Sequence, residues 1–113
     1  MGAAQPSHST NDYELVIRSS KDLEYFLEVE FGATGKGLHE KISSIQHSQL
    51  PDALVRKMRF LATIRNKLIH QRGFDEIPDR DGFIRSFEQS KLELATIIKE
   101  RSNNNNNNTC LIS

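Results

Sequence analysis

The chain has 113 residues, a single cysteine, and 15 basic and 15 acidic residues that give a formal net charge of zero. This length allows one domain, and one cysteine excludes an internal disulfide framework and a cysteine-rich zinc site. The balanced charge favours no class of partner. No apolar run approaches the roughly 20 residues that cross a bilayer. Residues 1–10 lack the apolar stretch of a secretory signal.

The first half of the chain begins with a polar lead and then changes to a helical pattern. Residues 1–10 are small and polar, which predicts a disordered lead-in. From Asn11 to Phe31 apolar residues recur at helical spacing. Ser19 and Ser20 interrupt this pattern, so the stretch is predicted to form one helix or two shorter ones. Gly32 to Gly37 predicts an inter-helix turn and not a phosphate-binding P-loop, because no Ser or Thr follows its lysine.

Two further helices are predicted in the middle of the chain. Leu38 to Ile45 carries apolar residues on one side at helical spacing. Pro51 is expected at the first position of the next helix, where its missing N–H costs nothing. That helix runs to about His70 and has the clearest amphipathic pattern in the chain. Its apolar row consists of Leu54, Met58, Leu61, Ile64 and Leu68.

A last helix is predicted after a turn-rich link over residues 73–82. Asp79 or Asp81 can cap this helix, and it is expected to fade near Arg101. The predicted inner row consists of Phe83, Phe87, Ser90 or Lys91, Leu94, and Ile97 or Ile98. No period-two run of β-branched residues predicts a strand. The sequence therefore predicts an all-α bundle of four or five helices over residues 11–102.

Residues 103–109 contain an uninterrupted run of asparagines. Such a tract has no apolar surface to bury, so we expect a solvated, flexible linker. The simplest interpretation of the run is a spacer of no further function.

The segment richest in chemistry is Ile64–His70, at the end of the strongest predicted helix. It contains Arg65, a polar Asn66 directly after it, and His70 five positions after the arginine. Helical geometry places Asn66 and His70 one turn apart on a shared face. The long side chain of Arg65 is expected to converge on the same patch.

This motif resembles that of the HEPN superfamily, in which an arginine, a polar residue and a histidine stand near the end of the third helix. The resemblance covers roughly residues 12–100, including the glycine after the first helix and the proline that starts the third. It implies a helical bundle that forms a homodimer. For an active member it also implies a metal-independent endoribonuclease. In such an enzyme His70 would be the general acid or base, Arg65 would hold the phosphate, and Asn66 would orient the imidazole or the phosphate.

Three functions stay open at this stage: an interaction module, a ribonuclease, and a nucleotide-binding module without catalysis. The basic residues Arg56, Arg59, Lys67 and Arg72 form a candidate RNA phosphate track. The same residues are also typical of an ordinary solvated helix face, and Arg65, Asn66 and His70 can all be structural. Fold alone does not decide between these functions.

No metal and no cofactor are predicted. The histidines His8, His39 and His47 are scattered and have no ligand spacing towards an acidic partner. The carboxylates between Asp75 and Asp81 lack the spacing of a calcium loop, and capping and turn formation explain them.

The final four residues, Cys110–Ser113, have the form of a prenylation box: a cysteine, two aliphatic residues and a small terminal residue. In a eukaryotic host this pattern predicts an S-farnesyl cysteine methyl ester at Cys110 and removal of Leu111, Ile112 and Ser113. The expected location is the cytoplasmic face of a membrane, with a soluble cytosolic pool, since one lipid chain binds a membrane only marginally.

Overall fold

The computed structural model describes residues 11–112, and side chains are described for residues 11–103. Within residues 11–112 there are four α-helices, one short 3-10 helix and no strand, which confirms the predicted all-α fold. The α-helices are α1 (Asp12–Phe31), α2 (Leu38–Ser44), α3 (Asp52–His70) and α4 (Arg80–Ile112), and the 3-10 helix spans His47–Gln49.

Helix α1 is continuous, so the alternative of two shorter helices is wrong. The Asn11 side chain caps its start by accepting from the Glu14 backbone N–H at 3.0 Å. Gly32 ends it in the left-handed conformation, with φ of 68°. Ser19 and Ser20 are both buried. The Ser19 hydroxyl donates to the Leu15 carbonyl one turn earlier, so that this polar group lies in the helix without breaking it.

A buried lysine on α2 holds the turn between α1 and α2. Lys41 is 5% exposed, and its Nζ donates to the Gly35 carbonyl at 2.6 Å. The same Nζ lies 3.1 Å from a Glu28 carboxylate oxygen and 3.6 Å from one of Glu24, both on α1. A buried ammonium requires such partners. The predicted turn over residues 32–37 is present, and Lys41 joins it to α1.

Helix α3 packs against each of the other three α-helices. Its predicted apolar row is confirmed, because Leu54, Met58, Leu61, Ile64 and Leu68 are all buried. Pro51 stands at the cap position before Asp52 and not at the first helical position. The φ of −64° that its ring imposes suits either place.

Helix α4 begins where the sequence predicts. Asp79 is its cap, since its carboxylate accepts from the Gly82 N–H at 3.0 Å. Its inner row contains buried Phe83, Phe87, Ser90 and Leu94. The link before α4 is tied to α1 because the Asp12 carboxylate accepts from the Ile77 N–H at 2.9 Å and from Arg80 Nε at 2.8 Å.

The prediction that this last helix fades near Arg101 is wrong. Helix α4 continues to Ile112, so the asparagine tract has a helical backbone. No Gly or Pro follows Arg101, and each asparagine costs a helix only about 0.7 kcal/mol relative to alanine. Asparagine, which like glycine is often found just after a helix end, therefore does not stop α4 here.

Parts of the sequence interpretation lie outside what the structure describes. The lead-in over residues 1–10 and Ser113 are outside the described residues, and the Cys110 side chain is outside the described side chains. Among the helices of the described part, none has the length and apolar character needed to cross a bilayer.

The role of Lys41 can be tested with Lys41→Met, which keeps an apolar stem and removes the ammonium. We expect the free energy of unfolding in urea to fall by about 1–3 kcal/mol, because the Gly35 carbonyl loses its donor and the α1 carboxylates lose their counter-charge. Lys36→Met is the matched control, because Lys36 is an exposed lysine of the turn that Lys41 contacts. Equal stability of the two variants would contradict this role.

Candidate functional site

An open groove runs along the junction of α2 with the last turns of α3. It has a volume of about 470 Å³ and is lined by His39, Thr63, Asn66, Lys67, His70 and Gln71. Helix α2 supplies the histidine His39, and α3 with the residue that follows it supplies the rest. Every lining side chain is polar or basic, and none is a carboxylate. We call this cavity the α2–α3 groove.

The structure brings Asn66 and His70 together but leaves Arg65 outside the groove. Arg65 Nη1 donates to Asn66 Oδ1 at 3.0 Å, so the arginine fixes the direction of the amide. The Arg65 side chain lines a smaller neighbouring cleft of about 150 Å³, which Glu24 and Glu40 also border. Positions five residues apart on a helix are separated by about 140°. The three motif side chains therefore do not converge on one patch as expected. Asn66 and His70 line the groove, and Arg65 is linked to it only through its hydrogen bond to Asn66.

His70 has a free imidazole at the edge of the groove. The residue is exposed, and its side chain makes no hydrogen bond or ion pair with any described residue. By contrast, Arg65 Nε is buried and has no hydrogen-bond partner among the described residues. The motif thus combines an unengaged histidine with a partly buried arginine that supports its neighbour.

His39 is a groove residue that sequence reasoning missed. Arg59 Nη1 lies 3.1 Å from its Nδ1, and Thr63 Oγ1 lies 3.4 Å from its Nε2. A guanidinium can only donate, so Nδ1 accepts and the ring proton is on Nε2, towards Thr63. Burial, and then the positive charge of Arg59, lower the pKa of His39. The only signal in the sequence was the position of His39 directly after Leu38, an apolar residue of the predicted second helix.

The predicted phosphate-binding residues divide into two groups. Arg59 is engaged with α2, because Nη2 also donates to Ser43 Oγ at 2.9 Å. Arg56, Lys67 and Arg72 are exposed, and Lys67 Nζ lies 5.7 Å from the centroid of the Phe74 ring while also lining the groove. Arg59 thus positions His39, and the other three are available to a ligand.

Five side chains follow one another along the outer face of α3, and we call them the solvent row. Their spacing of four, three, four and three residues keeps them on one face, about opposite the buried row. They are Arg56, Phe60, Thr63, Lys67 and His70. All five are exposed, so the groove continues into a longer basic surface.

A scan against protein-family models found no match to this chain, and searches of curated proteins and of solved structures found none either. Within the described residues, no group of three or more His, Cys, Asp or Glu side chains is placed to hold a metal ion. The chemistry of the groove has to be inferred from its own side chains. The Lys67 ammonium, the amides of Asn66 and Gln71, and the His70 imidazole are all possible donors to phosphate oxygens.

The lowered pKa of His39 predicts a pH-dependent stability. An unfolded histidine titrates near pH 6.5, so below this pH the unfolded chain binds a proton more readily than the folded one. The stability contributed by neutral His39 is present above about pH 6.5 and is lost as pH falls through the lower folded pKa. We expect His39→Gln to lose less unfolding free energy than wild type between about pH 7.5 and pH 5 in urea titrations. An equal loss in both proteins would contradict this assignment.

Proposed function

We propose that this chain is a helical binding module that holds the phosphate backbone of RNA in the α2–α3 groove and is tethered to a membrane by a prenyl group on Cys110. The observation that carries the RNA proposal is the groove lining, which has ammonium, amide and imidazole groups and no carboxylate. Phosphate oxygens are acceptors only, and charge-assisted donors bind them most strongly.

The position of Arg65 favours binding over cleavage within one copy of the chain. In the ribonuclease that the motif implies, the arginine is the cation against the phosphate where negative charge develops. Arg65 instead donates to Asn66 and lines the neighbouring cleft with Glu24. In a single copy, the groove therefore has a candidate acid–base residue without the motif arginine beside it.

Ribonuclease activity is the second candidate, favoured by the unengaged imidazole of His70 beside an oriented Asn66. In this reaction His70 would take the proton of a ribose 2′-hydroxyl as its oxygen attacks the adjacent phosphate. The 5′-oxygen takes a proton from water as its bond to phosphorus breaks, so the products carry a 2′,3′-cyclic phosphate and a 5′-hydroxyl. The homodimer implied by the HEPN resemblance would supply a second His70 and a second Arg65.

Fluorescence anisotropy with labelled RNA tests the binding module. Lys67→Ala and His70→Ala should weaken binding, and Lys67→Ala should also reduce the slope of log affinity against log salt by about 0.7, as expected for one lost contact to a single strand. Lys21→Ala and His47→Ala replace exposed residues outside the groove and serve as controls. Equal effects of groove and control variants would contradict the site.

The same RNAs, incubated with EDTA and separated on gels, distinguish the two candidates. Binding without cleavage supports the module. Cleavage that leaves 2′,3′-cyclic ends, and that is lost in a folded His70→Ala protein, supports the ribonuclease instead. Wild-type protein that neither binds nor cleaves RNA would overturn both.

The lipid part of the proposal is supported by the pattern Cys110-Leu111-Ile112-Ser113. The cysteine thiolate is the nucleophile for the prenyl diphosphate, and a terminal serine is typical of farnesylation. One chain gives only reversible attachment, and a homodimer would double the number of anchors. The proposal requires Ser113 to be the last residue of the protein in the cell.

Mass spectrometry of the cellular protein tests this chemistry. We expect a C-terminus at a farnesylated, methylated Cys110 and a membrane-bound fraction that is lost in Cys110→Ser. Ser113→Leu is the matched variant, because a terminal leucine directs geranylgeranylation and should change the lipid mass without removing it. An unmodified Cys110 followed by intact residues 111–113 would contradict the proposal.

A further inference from the structure

We propose that Phe60 stacks against a base, so that the RNA held by the groove is single-stranded. This inference rests on the proposed RNA binding and deepens it. Phe60 would be an uncharged residue of the RNA site. Its ligand would be an RNA whose bases are unpaired, so that one face of a base is exposed.

Phe60 differs from every other phenylalanine of the chain. The chain has six phenylalanines, and the other five are buried in the core or packed against it: Phe26, Phe31, Phe74, Phe83 and Phe87. Phe60 is 43% exposed. Cations lie over the rings of Phe31, Phe74 and Phe87, whereas no described cation covers the ring of Phe60. A flat apolar surface is therefore left open to a ligand.

The surroundings of Phe60 fit a single strand. Arg56 lies one turn before it on the solvent row, and Thr63 and Lys67 lie one and two turns after it. From Arg56 to His70 the row is about 20 Å long at 1.5 Å per residue. Cations that track a backbone, with an aromatic ring between them, are typical of sites that bind single strands, where stacking is tolerant of sequence.

Two other ligands fit less well. In duplex RNA the base faces are stacked inside the helix, so Phe60 could not reach one. An anionic membrane also attracts basic surfaces, but interfacial binding grows with the buried apolar area. Phe60 is the only large apolar side chain of the solvent row, so it offers a membrane little area, whereas one exposed part of a ring is enough for a single base to stack on.

Anisotropy with three probes tests the inference: a short oligoadenylate, a duplex RNA of the same length, and inorganic polyphosphate. Wild type should prefer the single strand over the duplex. Phe60→Ala should weaken oligoadenylate binding about thirtyfold, the middle of the range for one stacked base, and should leave polyphosphate binding unchanged. Tyr25→Ala removes another exposed aromatic ring, on α1, and should change neither.

Phe60→Trp gives a direct signal because the chain has no tryptophan. This variant should keep its affinity for oligoadenylate, and its fluorescence should be quenched on binding. If wild type binds RNA but Phe60→Ala has no effect, the stacking inference fails and the proposed function stands. If wild type binds no RNA, the proposed function fails as well. If Phe60→Ala instead weakens binding only to phosphatidylserine vesicles, the surface is a membrane contact and the inference is overturned.

Discussion

The packing of α3 against three other helices is the constraint that decides where the candidate site residues of that helix lie. Its buried row, from Leu54 to Leu68, cannot rotate without exposing apolar surface, which costs about 25 cal/mol per Å². The solvent row is displaced from the buried row by two residues, or about 200°. Burying Leu54, Met58, Leu61 and Leu68 therefore exposes Arg56, Phe60, Thr63 and His70, and Lys67 lies between the last two on the same face. Arg65 falls on the side of the core for the same reason.

The groove depends equally on α2, which has seven residues and is too short to be stable alone. Leu38 and Ile42 give it an apolar side, and polar contacts on either flank supply the rest. Lys41 joins it to α1, and the contacts of Arg59 with His39 and Ser43 join it to α3. One wall of the groove is therefore held by charged groups and a histidine as well as by apolar packing.

The amphipathic period of the sequence was enough to predict where the α-helices begin and the buried row of α3, because burial follows the spacing of apolar residues, but it did not predict the end of α4. The same local rules offered Asp79 or Asp81 as the cap of α4, and the cap is Asp79. Contacts between helices distant in sequence were not predictable: spacing on α2 alone cannot place His39 beside Thr63, or Lys41 beside Glu28. The serines of α1 were misread because Ser19 satisfies its hydroxyl inside its own helix. Phe60 was overlooked because one apolar residue on a polar face does not alter the period.

The length of α4 changes the mechanics of any lipid attachment at Cys110. A helix of 33 residues is about 50 Å long, whereas an unstructured tail would let the bundle rotate freely above the bilayer. With a helical backbone as far as Ile112, residue 110 lies on the continuation of α4. A prenyl group there would therefore be attached about 14 Å beyond Arg101, at 1.5 Å per residue, and the helix would act as a spacer between the bundle and the bilayer.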